Sequence, residues 1–223
     1  EIMPSLVGSE MCIRDRSGPV RVTATNDFGR SQLRPLLDAF QQRHPRVRIG
    51  LHLSDSTIDL IETHMDLAIR FGPLPDSNLQ ARLLVPGERL VCAAPAYWNA
   101  RGRPAHPGEL ARHNCLVLAR PGAPLAAWTF RDGGRSFSVK VSGDREASDG
   151  SVLREWAVNG TGVIFKNRQD IRHELAAGAL EVVLDDYAAG PIDLFAAFPG
   201  GAPSRRVAAL VDFLAAALQS PAA

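Results

Sequence analysis

Ser54-Asp-Ser-Thr-Ile-Asp-Leu-Ile-Glu-Thr-His-Met-Asp-Leu-Ala-Ile-Arg-Phe-Gly72 is the stretch on which the fold turns. It reads as a polar loop, a short helix carrying Ile58, Ile61 and Met65, and a buried strand, Leu67-Ala-Ile-Arg-Phe71, that ends on Gly72. Immediately upstream, Val47, Ile49, Leu51 and Leu53 alternate with Arg46, Arg48, Gly50 and His52, the pattern of a strand with one face buried. Before that, Val20-Arg-Val-Thr-Ala-Thr25 is another alternating strand, and Asn26-Asp-Phe-Gly29 is a turn cluster. Leu33, Leu36, Leu37 and Phe40 then recur at helical spacing. Pro35 suits a first helical turn, and Pro45 ends the helix by disfavouring helical dihedrals at His44. Two strand-helix-strand units in succession imply a mostly parallel sheet and an α/β class.

Outward from that block, Pro73-Leu-Pro-Asp-Ser77 is a polar loop. Leu83-Leu-Val-Pro86 and Arg89-Leu-Val-Cys-Ala-Ala94 read as a strand pair or one long bent strand, and short helices are expected at Pro95–Gly102 and Pro107–Arg112. A second α/β block follows, with a strand at Cys115–Leu118 and two strands around Trp128–Phe130 and Phe137–Val141, joined by the hairpin turn Asp132-Gly-Gly134. Next come a helix over Ser151–Asn159, a strand Val163–Lys166, a helix Gln169–Ala177 and a strand Leu180–Leu184. A strand Ile192–Phe198 and a helix with Val207, Leu210, Val211, Leu214 and Leu218 on one face close the chain.

The composition restricts the function. With 25 basic and 24 acidic residues the net charge is +1, so no global basic field exists to hold a phosphate backbone, and the chain alone should bind DNA poorly. No apolar run approaches the roughly 18 residues of a membrane span, and no membrane partner is expected. Cys92 and Cys115 lie in apolar runs and read as small buried hydrophobes. Cys12, the third cysteine, falls in the N-terminal segment 1–16, and the two that remain, without a disulfide framework, suit a reducing cytoplasm. The catalytic templates fail in turn. Gly160-Thr-Gly162 has Phe165 where a dinucleotide fingerprint needs its third glycine, and there is no phosphate loop or nucleophile elbow. The six histidines have no metal-ligand spacing, and Asp185-Asp186 follows a strand, where adjacent side chains point apart. No catalytic residue, metal or cofactor is expected. Trp156 shares a helical face with Val152 and Leu153 and reads as core, whereas Trp128, near a hairpin, suits either core or ligand stacking.

The segment 54–72, together with Pro73-Leu-Pro-Asp-Ser-Asn-Leu-Gln-Ala-Arg82 and Ser148-Asp-Gly-Ser-Val-Leu-Arg-Glu-Trp156, resembles the effector-binding domain of LysR-type bacterial transcriptional regulators, in register from about Gly18 to about Leu218. The resemblance implies a type II periplasmic-binding-protein fold: two Rossmann-like α/β lobes joined by two crossovers, lobe I being residues 17–94 plus 192–223 and lobe II residues 95–191. It puts the hinges near Ala93–Pro95 and Gly190–Ile192. It also implies a small-molecule effector bound between the lobes. Pairing into a homodimer or tetramer would use helix Arg30–Arg43 and strand Val47–Leu53, and DNA would be contacted only through an N-terminal helix-turn-helix domain. Residues 1–16 stand outside this register. Glu10-Met-Cys-Ile-Arg-Asp15 matches one reading frame of a transposase adapter used in sequencing libraries, GAG ATG TGT ATA AGA GAC, and we read the segment as an assembly artefact.

In sheets of this class ligands meet the carboxyl ends of parallel strands, where helix N-termini offer unpaired N–H groups. On that template the expected effector-binding residues are Thr25, Asn26 and Phe28 after the first strand and Ser54 and Asp55 after the second. Arg70, Phe71 and Gly72 follow at the end of the third, and Ser148 and Asp149 precede the helix of the second block. The polar ones among them also cap helices and form turns in most proteins. The family commonly places Ser or Thr at the head of the first helix, where this chain has Asn26-Asp27; Asp27 facing the cleft would repel an acidic ligand. Rival readings on the same scaffold are a free-standing solute-binding protein of a transporter and an enzyme, the second lacking any acid, base or nucleophile set.

Overall fold

Val20, Val22 and Ala24 are fully buried, because the strand that carries them, β1 (Gly18–Ala24), runs through the interior of a five-stranded sheet. The computed structural model describes residues 18–56, 60–72, 78–120, 123–124, 126–188 and 191–219. The expected loop at residues 73–77, Ile58, Gly190 and the segment 1–16 lie outside these. From β1 the chain runs through α1 (Asn26–Phe28), a π-helical turn (Gly29–Leu33) and α2 (Arg34–Arg43) into β2 (Val47–Leu53) and β3 (Leu67–Phe71). As the proline predicts, α2 ends at His44, whose N–H returns to the Phe40 carbonyl at 3.0 Å.

β1 pairs in parallel with β2 on one side and β3 on the other, and β13 (Leu194–Pro199), from the far end of the chain, adds antiparallel between β3 and β4 (Leu79–Val85). The apolar face of α2 (Leu37, Phe40) and that of α6 (Arg205–Gln219; Leu210, Val211, Leu214) cover this sheet in one core. Full burial of a leucine contributes about 1.5–3 kcal/mol, and truncating one to Ala in such a layer costs about 2–5 kcal/mol. β2 is an edge strand. Of its expected buried face only Val47 is inside, Ile49 and Leu53 are half-buried, and Leu51 is exposed.

The second lobe is built from β5 (Arg89–Ala93), α3 (Pro95–Arg101), a 3-10 turn (Pro107–Arg112), β6 (Val117–Arg120), β7 (Ala123–Pro124), the hairpin β8 (Ala127–Asp132) and β9 (Arg135–Lys140), and β10 (Glu146–Ala147). It continues with α4 (Gly150–Val158), β11 (Ile164–Asn167), α5 (Arg172–Ala176) and β12 (Glu181–Val183). β5 is flanked by β11 and β12, both antiparallel to it. Trp98, Leu110, Cys115, Trp128 and Phe130 fill one face of this lobe; Leu90, Cys92, Leu153 and Ile164 fill the other. Both cysteines are free, and burial pushes each thiol up to about 12. Trp156 packs half-buried at the edge of that second core, with Arg145 over its ring. Among the described residues no helix is long and apolar enough to cross a membrane.

Two expectations need correction. The helix over Ile58, Ile61 and Met65 is not formed where it is described: residues 60–64 are a turn, closed by the Met65 N–H on the Leu60 carbonyl at 2.9 Å. Leu60 is its buried residue and Ile61 is exposed. The segments Leu83–Pro86 and Arg89–Ala94 do not pair, since β4 belongs to the first sheet and β5 to the second lobe. The first crossing therefore falls at residues 86–88, ahead of the expected 93–95, because Leu90 and Cys92 already fill the second lobe's core. There the two connections bind each other. Ile192 N–H donates to the Gly87 carbonyl at 2.8 Å and Gly87 N–H to the Asp193 carboxylate at 3.0 Å. A Cβ on Gly87 would lie 2.6 Å from the Ile192 carbonyl oxygen, which is why this crossover needs glycine.

Candidate functional site

The loops after β1 and β2 emerge side by side, Ser54 N–H donating to the Ala24 carbonyl at 3.0 Å. Thr25 stands before α1 in extended conformation, and Asp55 turns back onto its first turn. One Asp55 oxygen accepts the Asn26 N–H at 2.9 Å. The other accepts the Asn26 amide at 3.3 Å and, from the second lobe, the Gly150 N–H at 2.9 Å. A single carboxylate thus caps the N-termini of α1 and α4 and joins the lobes through them, the arrangement a helix dipole favours. Asp149 is the N-cap of α4: it accepts the Ser151 N–H at 2.8 Å and hydroxyl at 2.6 Å, and it pairs with Arg30 of the first lobe at 2.7 Å. Burial alone would raise the Asp149 carboxyl, but the Ser151 bonds and Arg30 outweigh it and hold it below its ordinary value.

Deeper in, Asp27 on α1 is 1% exposed and reaches across to two cations. Lys166 Nζ on β11 lies 2.7 Å from Asp27 Oδ2, and Arg154 Nε on α4 lies 3.0 Å from Oδ1. Each cation has a second acid in its own lobe: Asp170 at 3.2 Å from Lys166, and Glu174 at 2.5 Å from Arg154. Lys166 also donates to the Gly150 carbonyl at 3.3 Å. Burial disfavours the charge on both cations, yet the carboxylates outweigh it, so both are held above their ordinary range and stay protonated. The Asp170 carboxyl is pushed up by its own burial, only partly offset by Lys166. A Cβ on Gly150 would stand 2.8 Å from Lys166 Nζ, so the amine would have to shift to admit it.

These contacts enclose a cavity of about 80 Å³ at the lobe interface. Thr25, Asp27 and Asp55 line it from the first lobe, and from the second Gly150, Lys166, Asn167 and Asp170 form its polar wall, with Trp128, Leu153 and Phe165 among the apolar wall. Buried wall atoms without a protein hydrogen bond include three oxygens, Thr25 Oγ1, Asn167 Oδ1 and Asp170 Oδ1. Such atoms are costly unless a ligand or solvent meets them. The cavity is therefore equipped to receive a small molecule that brings hydrogen-bond donors.

Of the residues expected from the sequence, Thr25 and Asp55 line the cavity, Asn26 is held by Asp55, and Asp149, next to the lining Gly150, pairs with Arg30 across the lobes. Ser54 accepts Arg70 on its carbonyl at 2.5 Å, and Arg70 also donates to the Thr23 hydroxyl at 3.0 Å, ties internal to the first lobe. Phe28 and Phe71 stack edge to face at 5.5 Å in the first core, Gly72 turns the chain at φ 85°, and Ser148 is exposed. Sequence reasoning missed Lys166, Arg154 and Asp170; Trp128, left open between core and ligand stacking, is buried and lines the cavity. One signal for Lys166 was available: only it and Lys140 are lysines among 25 basic residues, and it ends an apolar strand four residues before Asp170.

Compared with known proteins, the family model described as the LysR substrate binding domain matches residues 14–219. The HTH-type transcriptional activator TtdR of Escherichia coli K12 is 33% identical over 172 residues, covering 77% of this chain and 55% of that protein. The chain thus spans about half the length of that relative. The HTH-type transcriptional regulator CrgA of Neisseria meningitidis serogroup C is 32% identical over 199 residues, covering 88% of this chain and 66% of that protein. Among solved structures, the CrgA regulatory domain from Neisseria meningitidis superposes with TM-score 0.80 at 31% identity, covering 91% of this chain and 99% of that one.

Proposed function

We propose that this chain, which belongs to the LysR-type regulators and is their substrate-binding domain, senses a small metabolite in the cavity between its two lobes and passes the result to a DNA-binding domain. The observation that carries this reading is the interface itself. Asp27, Asp55 and Arg30 of one lobe grip Lys166, Arg154, Gly150 and Asp149 of the other around a cavity lined with unpartnered polar atoms. Effector contact is assigned to Thr25, Asn26 and Asp55, with Asn167 and Asp170 facing them. A ligand shifts the lobes only by its differential affinity for their arrangements, and the paired crossovers at Gly87 and Ile192 are the hinge about which they move.

In this reading the protein is not an enzyme and acts in the cytoplasm. DNA is met by a helix-turn-helix domain of the longer protein, in keeping with the near-neutral charge of this chain. The half-exposed edge strand β2 and helix α2 form the face through which copies pair as a homodimer or tetramer. A thermal-shift screen of small metabolites tests the cavity. A ligand that stabilises the chain should lose its effect in Thr25→Ala, while Ser54→Ala, whose carbonyl makes the structural tie to Arg70, should retain it. A ligand whose effect survives Thr25→Ala binds elsewhere.

A further inference from the structure

Asp27 is the only carboxylate of the first lobe that reaches both Lys166 and Arg154 among the described contacts, at 2.7 and 3.0 Å, and it does so almost entirely out of water. Two cations converging from one lobe on a single carboxylate borne by the other are the groups with which a cleft would hold an anionic ligand. The geometry points to Asp27 as a tethered carboxylate that occupies the anion subsite of the cleft, closes the lobes on each other, and keeps a carboxylate ligand off Lys166 and Arg154. This rests on the reading of the interface as the effector cleft and adds the class of molecule it admits.

The surroundings agree. Lys166 and Arg154 each have a second acid beside them, Asp170 and Glu174, so no uncompensated positive charge is left at this pair for an incoming anion. Three buried oxygens of the wall, Asn167 Oδ1, Asp170 Oδ1 and Thr25 Oγ1, have no hydrogen bond and can meet a donor. Asp170 is 5% exposed. Arg89, the third cation on the wall, lies 5.2 Å over the Phe165 ring. The effector that fits is a small hydroxyl- or amine-bearing molecule that donates to these oxygens and leaves Asp27 in place.

Removing the Asp27 side chain should vacate a carboxylate-sized site in front of two cations, and free acetate should fill it. The test is the melting temperature of the wild type, Asp27→Ala and Asp27→Ala/Lys166→Met in sodium acetate against sodium chloride at equal ionic strength and neutral pH. The single variant should melt below the wild type in chloride and recover by about 3–6 °C when acetate exceeds its Kd tenfold. The wild type and the double variant should show no acetate-specific gain. Equal acetate responses in wild type and Asp27→Ala would overturn the inference, as would acetate binding to the wild type that is lost in Lys166→Met. Should Asp27→Ala not fold in chloride, refolding in acetate is the readout, with Asp27→Ser as the milder variant. Recovery in acetate alone supports the tethered carboxylate, and equal failure in both salts refutes it. The cleft reading fails separately, if no donor-bearing metabolite stabilises the wild type while acetate still rescues Asp27→Ala.

Discussion

Replacing Lys166 by methionine probes the joint between the lobes at its most buried point. The substitution keeps most of the side-chain volume and removes an ammonium that sits 2.7 Å from Asp27, 3.2 Å from Asp170 and 3.3 Å from the Gly150 carbonyl. Deleting one partner of a buried ion pair costs about 3–5 kcal/mol, because the other charge is left without compensation. Two features reduce that here. Arg154 still pairs with Asp27, and Asp170, whose carboxyl is already pushed up by burial, can take a proton. A net loss of about 2–3 kcal/mol is expected, which in a chain of this length lowers Tm by roughly 4–12 °C. Urea unfolding followed by circular dichroism should show a lower midpoint at unchanged slope, as expected for lost stability without a change in exposed surface.

The pH dependence gives the same variant a second readout. With Lys166 gone, Asp170, already pushed up by burial, loses the cation that holds it down, so its folded value lies further above its unfolded one. The stability of the variant is then greatest at low pH and falls as pH rises, so its deficit against the wild type should widen between about pH 5 and pH 8. A deficit below about 1 kcal/mol, or one that does not change over that range, would refute the claim that this lysine is the buried counter-ion of two carboxylates.

Gly150→Ala places a methyl 2.8 Å from Lys166 Nζ, so a loss of about 1–3 kcal/mol is expected from displacing the amine; a Tm equal to the wild type would mean that Lys166 is not anchored. Asp149, held below its ordinary 3.8 by Ser151 and Arg30 against the effect of burial, contributes stability that is present above that value and lost as pH falls through the lower folded one. Asp149→Asn should accordingly lower Tm by a constant amount at neutral pH, and that difference should shrink in acid melts below about pH 4; a difference that persists there contradicts the assignment. The thiols of Cys92 and Cys115, pushed up to about 12 by burial, should react with a disulfide reagent only as fast as the chain opens. Stoichiometric labelling of a Cys12→Ser variant in native buffer would show that one of them is accessible.

The succession of elements was legible because each has a period the sequence displays: the alternation in β1, the apolar face of α2 cut by Pro45, and the glycine hairpin between β8 and β9. It misled where periodicity is short. Ile61 and Met65 suggested a helix in which residues 60–64 instead form a turn, with His64 in the left-handed region at φ 54°. The apolar runs of β4 and β5 looked like one unit because nothing in a linear pattern says that Gly87 carries the chain from one sheet to another. The site was legible on the loop side. Thr25 and Asp55 follow from the rule that ligands meet strand ends, whereas Arg154, which completes the Asp27 pair, lies 127 residues further along. Such a pairing is a product of the fold, and only the chemical oddity of a lone buried lysine hinted at it. Asp27 was read as a group that would repel an anion. In the structure it is the anion.

Under the proposed function, a small molecule entering this cavity changes how the lobes stand to each other. The direct measurement is the distance between spin labels on Gln42→Cys in α2 and Lys140→Cys in β9, both exposed and in different lobes, in a Cys12→Ser background with the buried Cys92 and Cys115 left unlabelled. We expect that the metabolite found by thermal shift will displace or narrow this distance distribution, and that Thr25→Ala will abolish the change. A distribution unaltered at saturating ligand would contradict the account.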